Sequence, residues 1–587
     1  MAYRTLTSFL LVCFSYSLCQ GRIDPPDTDW DKVATDSLHK ALKLKYNTNL
    51  AKNIILFIGD GMGVSTVTAA RIYKGQKQGH PGEETILKFE EFPNVALSKT
   101  YGNDRQVPDS AQTATALMSG YKTNFYIVGY NDKVTEGNCP AETEENKIKS
   151  ILHHFNDAGR STGVVTTARL THATPASSYA HSANRDWEYD AILKETNVTG
   201  NCKDIAYQLV YENPYIQVAM GGGRTRFLPN TTSDTEDGSK GKRTDGLDLV
   251  SEWQRKQNEK GRRNHYVTNK LEFERIDPAT TDSVLGLFES SHMQYEVDRN
   301  KANDGEPSLE EMTEKAIQIL KKNTKGFFLL VEGGRIDHGH HDNTAKRALE
   351  EVLTLENAVR KAIELTNQEE TLIVVTGDHS HVFSIGGYPY RGNNILGLAN
   401  PLLYEPSLDK LPYTTLSYGN GPGMNYTIVG RENITRIDTT SDNYVQQSAV
   451  PVASESHGGE DVPIFATGPM SHLIHGVQEQ HYVGHVMQFA ACVGKYSNNC
   501  DRKNISSLHA SVLYSDHTFS AISGIQTTGG MIGGSFKANF QLAFSFFSHF
   551  TVQNQFEASD AHFNDERSKL SSKQDGSMQI ESKCCNE

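Results

Sequence analysis

NIILFIGDGMGVSTVTAARI (53–72) opens with six consecutive residues that are almost all apolar, breaks at a glycine-rich turn, and runs on into a helix-compatible stretch over 64–74. An uninterrupted apolar run of this length predicts a strand buried on both faces, and the turn delivers it directly into a helix. The same signature recurs at GVVTTA (163–168), IQVAMGGG (216–223), GFFLLVEGG (326–334), TLIVVTGD (371–378) and VPIFATG (462–468). Helical periodicity lies between several of them, over 309–321, 344–366 and 480–493. Apolar strands alternating with helices predict an α/β fold, a large and mainly parallel sheet with helices on both faces. In such sheets functional groups gather at the carboxyl ends of the strands.

Outside these runs, 101–126 reads as a loop feeding a short helix, ATALMSG. Residues 230–262, rich in Lys, Asp, Ser and Thr, read as a polar surface insertion. Residues 388–450, with Gly, Pro, Asn and Tyr between short strand-like pieces, read as a smaller module inserted before the last strand. At 587 residues the chain is long enough for several domains or one large one with insertions. Its 57 Lys and Arg against 71 Asp and Glu give a net charge of −14 with no basic block, which excludes electrostatic nucleic-acid binding as its main task. The 37% hydrophobic and 22% charged content is that of a globular chain.

Residues 1–19, MAYRTLTSFLLVCFSYSLC, read as a secretory signal peptide, too short to remain as a membrane span. Cys13 and Cys19 leave with it, and in an oxidising compartment Cys139, Cys202, Cys492, Cys500, Cys584 and Cys585 are expected to form disulfides rather than hold metal. Cys492 with Cys500 closes a short loop, and Cys139 with Cys202 is the pair expected next, which the sequence alone does not fix. Sequons at Asn197, Asn230, Asn425, Asn433 and Asn504 agree with secretion.

The chemistry-bearing side chains sit behind the strands. Asp60 follows NIILFIG, Glu332 closes GFFLLV with Asp337, His338, His340 and His341 behind it, Asp378, His379 and His381 follow TLIVVTG, and His457 precedes the strand at 462. Any one of these alone is ordinarily a cap or a hydrogen-bonded surface group. Mixed carboxylates and imidazoles from several strand ends suit zinc, and their number suits two or more ions. Asp337 and His341, four apart, share one face of a helical turn. Ser110, in VPDSAQTATAL (107–117), reads equally as an N-cap or as a nucleophile activated by metal. Arg185 offers a fork for two phosphate oxygens or a surface salt bridge.

Taken together, NIILFIGDGMGVSTVTAARI, VPDSAQTATAL, GVVTTARLTHATPASSYAHSANR, GLFE, GFFLLVEGGRIDHGHHD, VVTGDHSHVFSIGGYPYRG, SHGGEDVPIFATGP and HGVQEQ resemble the animal alkaline phosphatases, colinearly from about residue 30 to about 505. The resemblance implies hydrolysis of phosphate monoesters at alkaline pH through a phosphoserine on Ser110, with Arg185 gripping the phosphate. It implies one zinc on Asp337, His341 and His457, a second on Asp60, Asp378 and His379, and magnesium on Asp60, Thr174 and Glu332. His172 and His338 stand where animal members carry histidines near the metals, and His381 would orient a ligand. A calcium site would draw on Glu236, Glu289 and the Phe288 carbonyl, with Glu306 or Asp304 from the loop NDGEPSLEEM (303–312).

Thr174 replaces the serine usual in animal members and keeps the hydroxyl. The resemblance further implies a crown-like role for 388–450 and a homodimer. The glycolipid anchor common in the family needs an apolar end. Here the apolar stretch 531–550 contains Lys537 and is followed by a polar segment of 37 residues (551–587), so 510–587 reads as an unrelated, poorly ordered extension. A sulfatase would need a Cys- or Ser-x-Pro-x-Arg nucleophile motif, absent after Ser110, and a diesterase must seat a second ester group beside Arg185. A secreted metal- or phosphate-binding protein without turnover would not need the full set of ligands and nucleophile.

Overall fold

The computed structural model describes residues 28–399, 407–424, 426–427 and 430–498. The expected signal peptide (1–19), Cys500, Asn425, Asn504 and the extension 510–587 lie outside the described residues. All that is described falls in one unit, Met1–Ile505.

Its centre is a ten-stranded sheet. In chain order the first eight strands are β1 (Asn53–Gly59), β2 (Asn94–Lys99), β3 (Ser161–Arg169), β4 (Val218–Gly222), β5 (Asn264–Val267), β6 (Ser283–Leu287), β7 (Phe327–Gly333) and β8 (Thr371–Gly377). Val462–Thr467 and Gly476–Glu479 complete it. Across the sheet the order is Gly476–Glu479, β2, Val462–Thr467, β8, β1, β7, β3, β4, β6, β5. Every neighbouring pair is parallel except the two made by Val462–Thr467, which runs antiparallel to β2 and β8.

The side-chain period of two divides β1 between two cores. Ile55 and Phe57 join one apolar cluster, while Ile54, Leu56 and Ile58 join another on the opposite face. The first face is covered by Val64–Lys77, Leu309–Leu320 and Ala345–Leu365, the second by Ser110–Ser119, Ile151–Asp157, Ala173–Tyr179, Leu249–Glu259 and Tyr482–Ala491. Ala345–Leu365 shows why these helices dock: it buries Ala345, Ala348, Leu349, Val352, Leu355, Val359 and Ala362, a stripe at helical spacing.

The structure adds one strand that no apolar run marks and changes one expectation. Strand β2 shows no continuous apolar run, because only Ala96 and Ser98 turn inward while Val95 and Leu97 stay exposed. The 230–262 segment is no mere surface insertion. Leu249–Glu259 buries Leu249, Val250 and Trp253, and Arg243 is completely buried, held by Asp204 at 2.9 and 3.0 Å and Asp245 at 2.5 Å. In the 388–450 region, Phe383–Ile385, Leu416–Gly421 and Ser448–Pro451 form a small second sheet. Its Leu416 and Tyr418 pack into the main core.

Cys139 and Cys202 are bonded to each other, and Cys492 is disulfide-bonded as well. Asn197, Asn230 and Asn433 are exposed. Among the described residues no helix is long and apolar enough to cross a membrane.

Removing one partner of a buried ion pair strands the other charge. Arg243→Ala is therefore expected to lower the unfolding free energy by about 3–5 kcal/mol in denaturant titration.

Candidate metal centre and nucleophile

Three adjacent strands, β8, β1 and β7, end at the same level, and β3 beside β7 runs on to Arg169. Ile58 of β1 is level with Glu332 of β7, Gly59 with both Gly333 and Gly377, and Thr166 of β3 with Glu332. Asp60 and Asp378, each one residue beyond its strand, therefore emerge side by side. Gly61 turns the chain with φ of +69°, and a Cβ there would stand 2.2 Å from His381 Nε2, so only glycine fits. Its backbone N–H donates to Asp378 Oδ1 at 2.9 Å.

Three groups of electron-pair donors result. In the first, His341 Nδ1 donates to the Glu455 carbonyl at 2.5 Å and His457 Nδ1 to the Pro108 carbonyl at 2.8 Å. A neutral imidazole has one N–H, so the Nε2 of each presents a lone pair. Those two nitrogens face each other at 3.2 Å and stand 3.3 and 3.4 Å from Asp337 Oδ1. With both rings neutral, three acceptor atoms meet at one point, an arrangement that suits a bound cation.

In the second, His379 Nδ1 lies 3.2 Å from the Ser380 carbonyl, which turns Nε2 toward Asp60 Oδ1 at 3.2 Å and Asp378 Oδ2 at 3.4 Å. Ser110 Oγ joins this group, 3.4 Å from Asp60 Oδ1 and 3.2 Å from His379 Nε2. In the third, Asp60 Oδ2 and Glu332 Oε1 are buried without any hydrogen-bond donor, and Thr174 is fully buried beside Glu332. Asp60, Glu332 and His172 offer ligand atoms within 4.8 Å of one another.

Ser110 is not the N-cap. Asp109 is, accepting from the N–H groups of Ala111 at 3.1 Å and Gln112 at 3.2 Å in a capping box. Ser110 is thus the first residue of its helix, and its hydroxyl is left for the donor group. Asp109 also holds Arg185, whose Nη1 donates to Oδ2 at 3.0 Å while Nη2 donates to His172 Nε2 at 3.1 Å. These residues, with Phe125, Tyr126, His338, His341 and His457, line an open cleft of about 460 Å³.

The electrostatics show what is missing. Burial, then the facing Asp378, Asp337 and Glu332, pushes the Asp60 carboxyl well above its usual range, and burial lifts Glu332 to about 7. Burial and the nearby Arg185 depress His172 far below the ordinary imidazole value, and burial with Arg335 brings His338 down to about 3. A cation held among carboxyls raised in this way would favour their ionised form.

His381 stands 2.9 Å from Asp337 Oδ1 through Nε2 and 2.5 Å from the Glu455 carboxyl through Nδ1. His340 takes no part. It is buried between Thr66 and Tyr418 and ties its helix to the second sheet.

The calcium candidates also gather. Burial and Glu289 push Glu306 up to about 8, its Oε2 is buried without a partner, and burial with Glu236 raises Glu289. Asp304 is exposed and bonds Asn300, so Glu306 is the member facing the cluster. Phe288 is buried at the adjoining strand end, and Glu236 is shared with Arg224 at 2.7 Å.

Sequence reasoning missed Asp109, Glu455, His292 and Thr166. The D-x-x-Q spacing of Asp109 and Gln112 is a readable cap signal. Thr166, which donates to Glu332, looked like any strand residue, and His292, whose ring lies 4.2 Å from that of His338, had no motif.

Comparison with known proteins follows the same line. The alkaline phosphatase family model matches residues 51–493. The human "Alkaline phosphatase, tissue-nonspecific isozyme" is 50% identical over 505 residues, 84% of this chain and 95% of that protein. The Gadus morhua "Alkaline phosphatase" is 48% identical over 477 residues, 80% of this chain and 98% of that protein. Among solved structures, Thermus thermophilus alkaline phosphatase superposes with a TM-score of 0.53 at 22% identity, covering 76% of this chain and 92% of that one. A variant of TAB5 alkaline phosphatase, described with Mg bound in its M3 site, gives 0.52 at 22% identity over 76% of this chain and all of that one.

Because Glu332 sits near 7 in the metal-free protein, a cation binding there below that pH must displace its proton. Calorimetric Mg²⁺ affinity is expected to fall about tenfold per pH unit below 7 for each proton displaced.

Proposed function

The chain belongs to the alkaline phosphatase family and hydrolyses phosphate monoesters with the metal dependence and phosphoserine intermediate of that family; we propose the following assignment of its residues. Ser110 is the nucleophile and Arg185 the phosphate clamp. Asp337, His341 and His457 hold one zinc, Asp60, Asp378 and His379 the other, and Asp60, Thr174 and Glu332 a magnesium. The observation that carries this reading is the convergence of carboxylate and imidazole donor atoms on Ser110 Oγ. Their chemistry fits these ions, since mixed carboxylate and imidazole donors suit zinc and an all-oxygen set suits magnesium. When bound, such ions supply Lewis-acid charge that stabilises both the attacking and the departing oxygen of an in-line displacement.

The chain's own residues do the rest. Asp109 keeps Arg185 extended into the cleft, and burial near several acids keeps that guanidinium charged, since their attraction outweighs the desolvation. Its planar fork matches two non-bridging phosphate oxygens. His172 is held neutral, so it accepts from Arg185 rather than competing for the phosphate. Ser110 Oγ attacks phosphorus, and the alcohol departs. Water then attacks the phosphoserine, releasing inorganic phosphate and restoring the serine. No imidazole is free to act as the base toward Ser110: His379, the ring nearest it, is spent on the donor group.

Glu236, Glu289, Glu306 and the Phe288 carbonyl form a calcium site, supported by the unpartnered carboxylate oxygen of Glu306. Residues 1–19 are a signal peptide, 388–450 a crown-like module, and 510–587 an extension. The bonded cysteines and exposed sequons support passage through the secretory pathway to the outside or the cell surface. A homodimer is supported by the Trp30–Ala41 helix, which buries none of its residues and exposes Trp30, Val33 and Leu38. An apolar helix face of this kind marks an interaction site.

Ser110→Ala is expected to abolish both turnover of an aryl phosphate monoester and trapping of labelled phosphoserine while metal content stays unchanged; a phosphoserine that persists in the variant, or a wild type that prefers a diester or a sulfate, contradicts the assignment. In sedimentation velocity the wild type should run as a dimer and Leu38→Asp should shift it toward monomer.

A further inference from the structure

We infer that Glu455 is a positioning residue for zinc, clamping two imidazoles from different strand ends at once. The inference rests on the zinc reading above.

Glu455 is 1% exposed, an unusual place for a glutamate without a task. Its side chain has two partners. One carboxyl oxygen lies 2.5 Å from His381 Nδ1, and the other accepts the Val382 N–H at 2.8 Å. Its backbone has two more, both on His341: the carbonyl accepts from His341 Nδ1 at 2.5 Å, and the N–H donates to the His341 carbonyl at 2.9 Å. A single residue thus fixes which nitrogen of His341 faces the donor group, and it holds the ring of His381 beside Asp337 Oδ1.

The clamp extends along the chain. His457, two residues on, pairs with His381 across a two-residue antiparallel bridge, with Gly458 opposite Ser380. The segment 455–458 therefore places His457 itself and restrains His341 and His381, although it belongs to none of the four central strands. Partners that lock the far nitrogen of a metal-binding imidazole fix its tautomer and aim, and their loss typically costs about 10–100-fold in metal affinity.

The carboxyl is the part of this clamp that substitution can remove without touching the backbone bonds to His341. In the full-length protein, zinc affinity is read by competition with a chelator of known strength. Glu455→Ala is expected to bind its weakest-held zinc about 10–100-fold less tightly than the wild type. Glu455→Gln, which keeps the volume and at least one polar contact, should lose less. The comparison variant is Glu356→Ala, equally buried at 2% exposure but bonded to Lys74 and the Lys88 N–H, away from the cleft. It should keep wild-type zinc affinity, and thermal unfolding of the metal-free proteins shows how much each change costs the fold itself. Equal zinc affinity in the wild type and Glu455→Ala overturns the inference, as does an equal loss in Glu356→Ala. A wild type that holds no zinc overturns the underlying assignment instead.

Discussion

Lone pairs that face one another across about 3 Å in a buried space repel unless positive charge lies between them. This protein arranges that situation around Asp337, His341 and His457 and again around Asp60, Asp378, His379 and Ser110. The repulsion is built in by hydrogen bonds on the far sides of the rings, to the carbonyls of Glu455, Pro108 and Ser380. Each bond uses the one proton a neutral imidazole has. The rest of the molecule can be understood as the means of holding these donors together against their own field.

The parallel sheet supplies the means. Strands β8, β1, β7 and β3 lie side by side and the first three end in step, so groups distant in sequence reach one edge. Both faces of these strands are sealed by helices, which makes the edge rigid and largely dry. Dryness raises the cost of every carboxylate there, and the upward displacement of Asp60 and Glu332 records it. Arg185, neutral His172 and the capping carboxylate of Asp109 form a counterpart at the cleft mouth, where an anion can be received. The helix that begins at Ser110 is the one Asp109 caps, so Ser110 and Arg185 share a single support.

Much of this was legible in the chain. Strands β1, β7 and β8 are buried on both faces, so their apolar runs are unbroken, and Asp60, Glu332 and Asp378 could be placed at their ends by counting. Strand β2 was hidden because it is half exposed, and Arg243 was misjudged because its burial depends on Asp204 and Asp245, which are distant or unremarkable in sequence. The roles of Thr174, His172 and the calcium group came only with the family resemblance, since a threonine or a glutamate in a loop carries no signal of its own. Glu455 was invisible for a different reason: its partners, His341 and His381, are more than seventy residues away. The N-cap reading of Ser110 falls to one hydrogen-bond pattern, the cap on Asp109.

In the proposed assignment two cations sit where the carboxylate and imidazole donors converge, one of them against Ser110 Oγ. Diffraction from crystals of the protein grown with zinc, collected on either side of the zinc absorption edge, tests it most directly. The account predicts two anomalous peaks about 4 Å apart, one enclosed by Asp337, His341 and His457 and the other by Asp60, Asp378, His379 and the serine oxygen. Peaks lying elsewhere, or a Ser110 hydroxyl turned away from both, would contradict it.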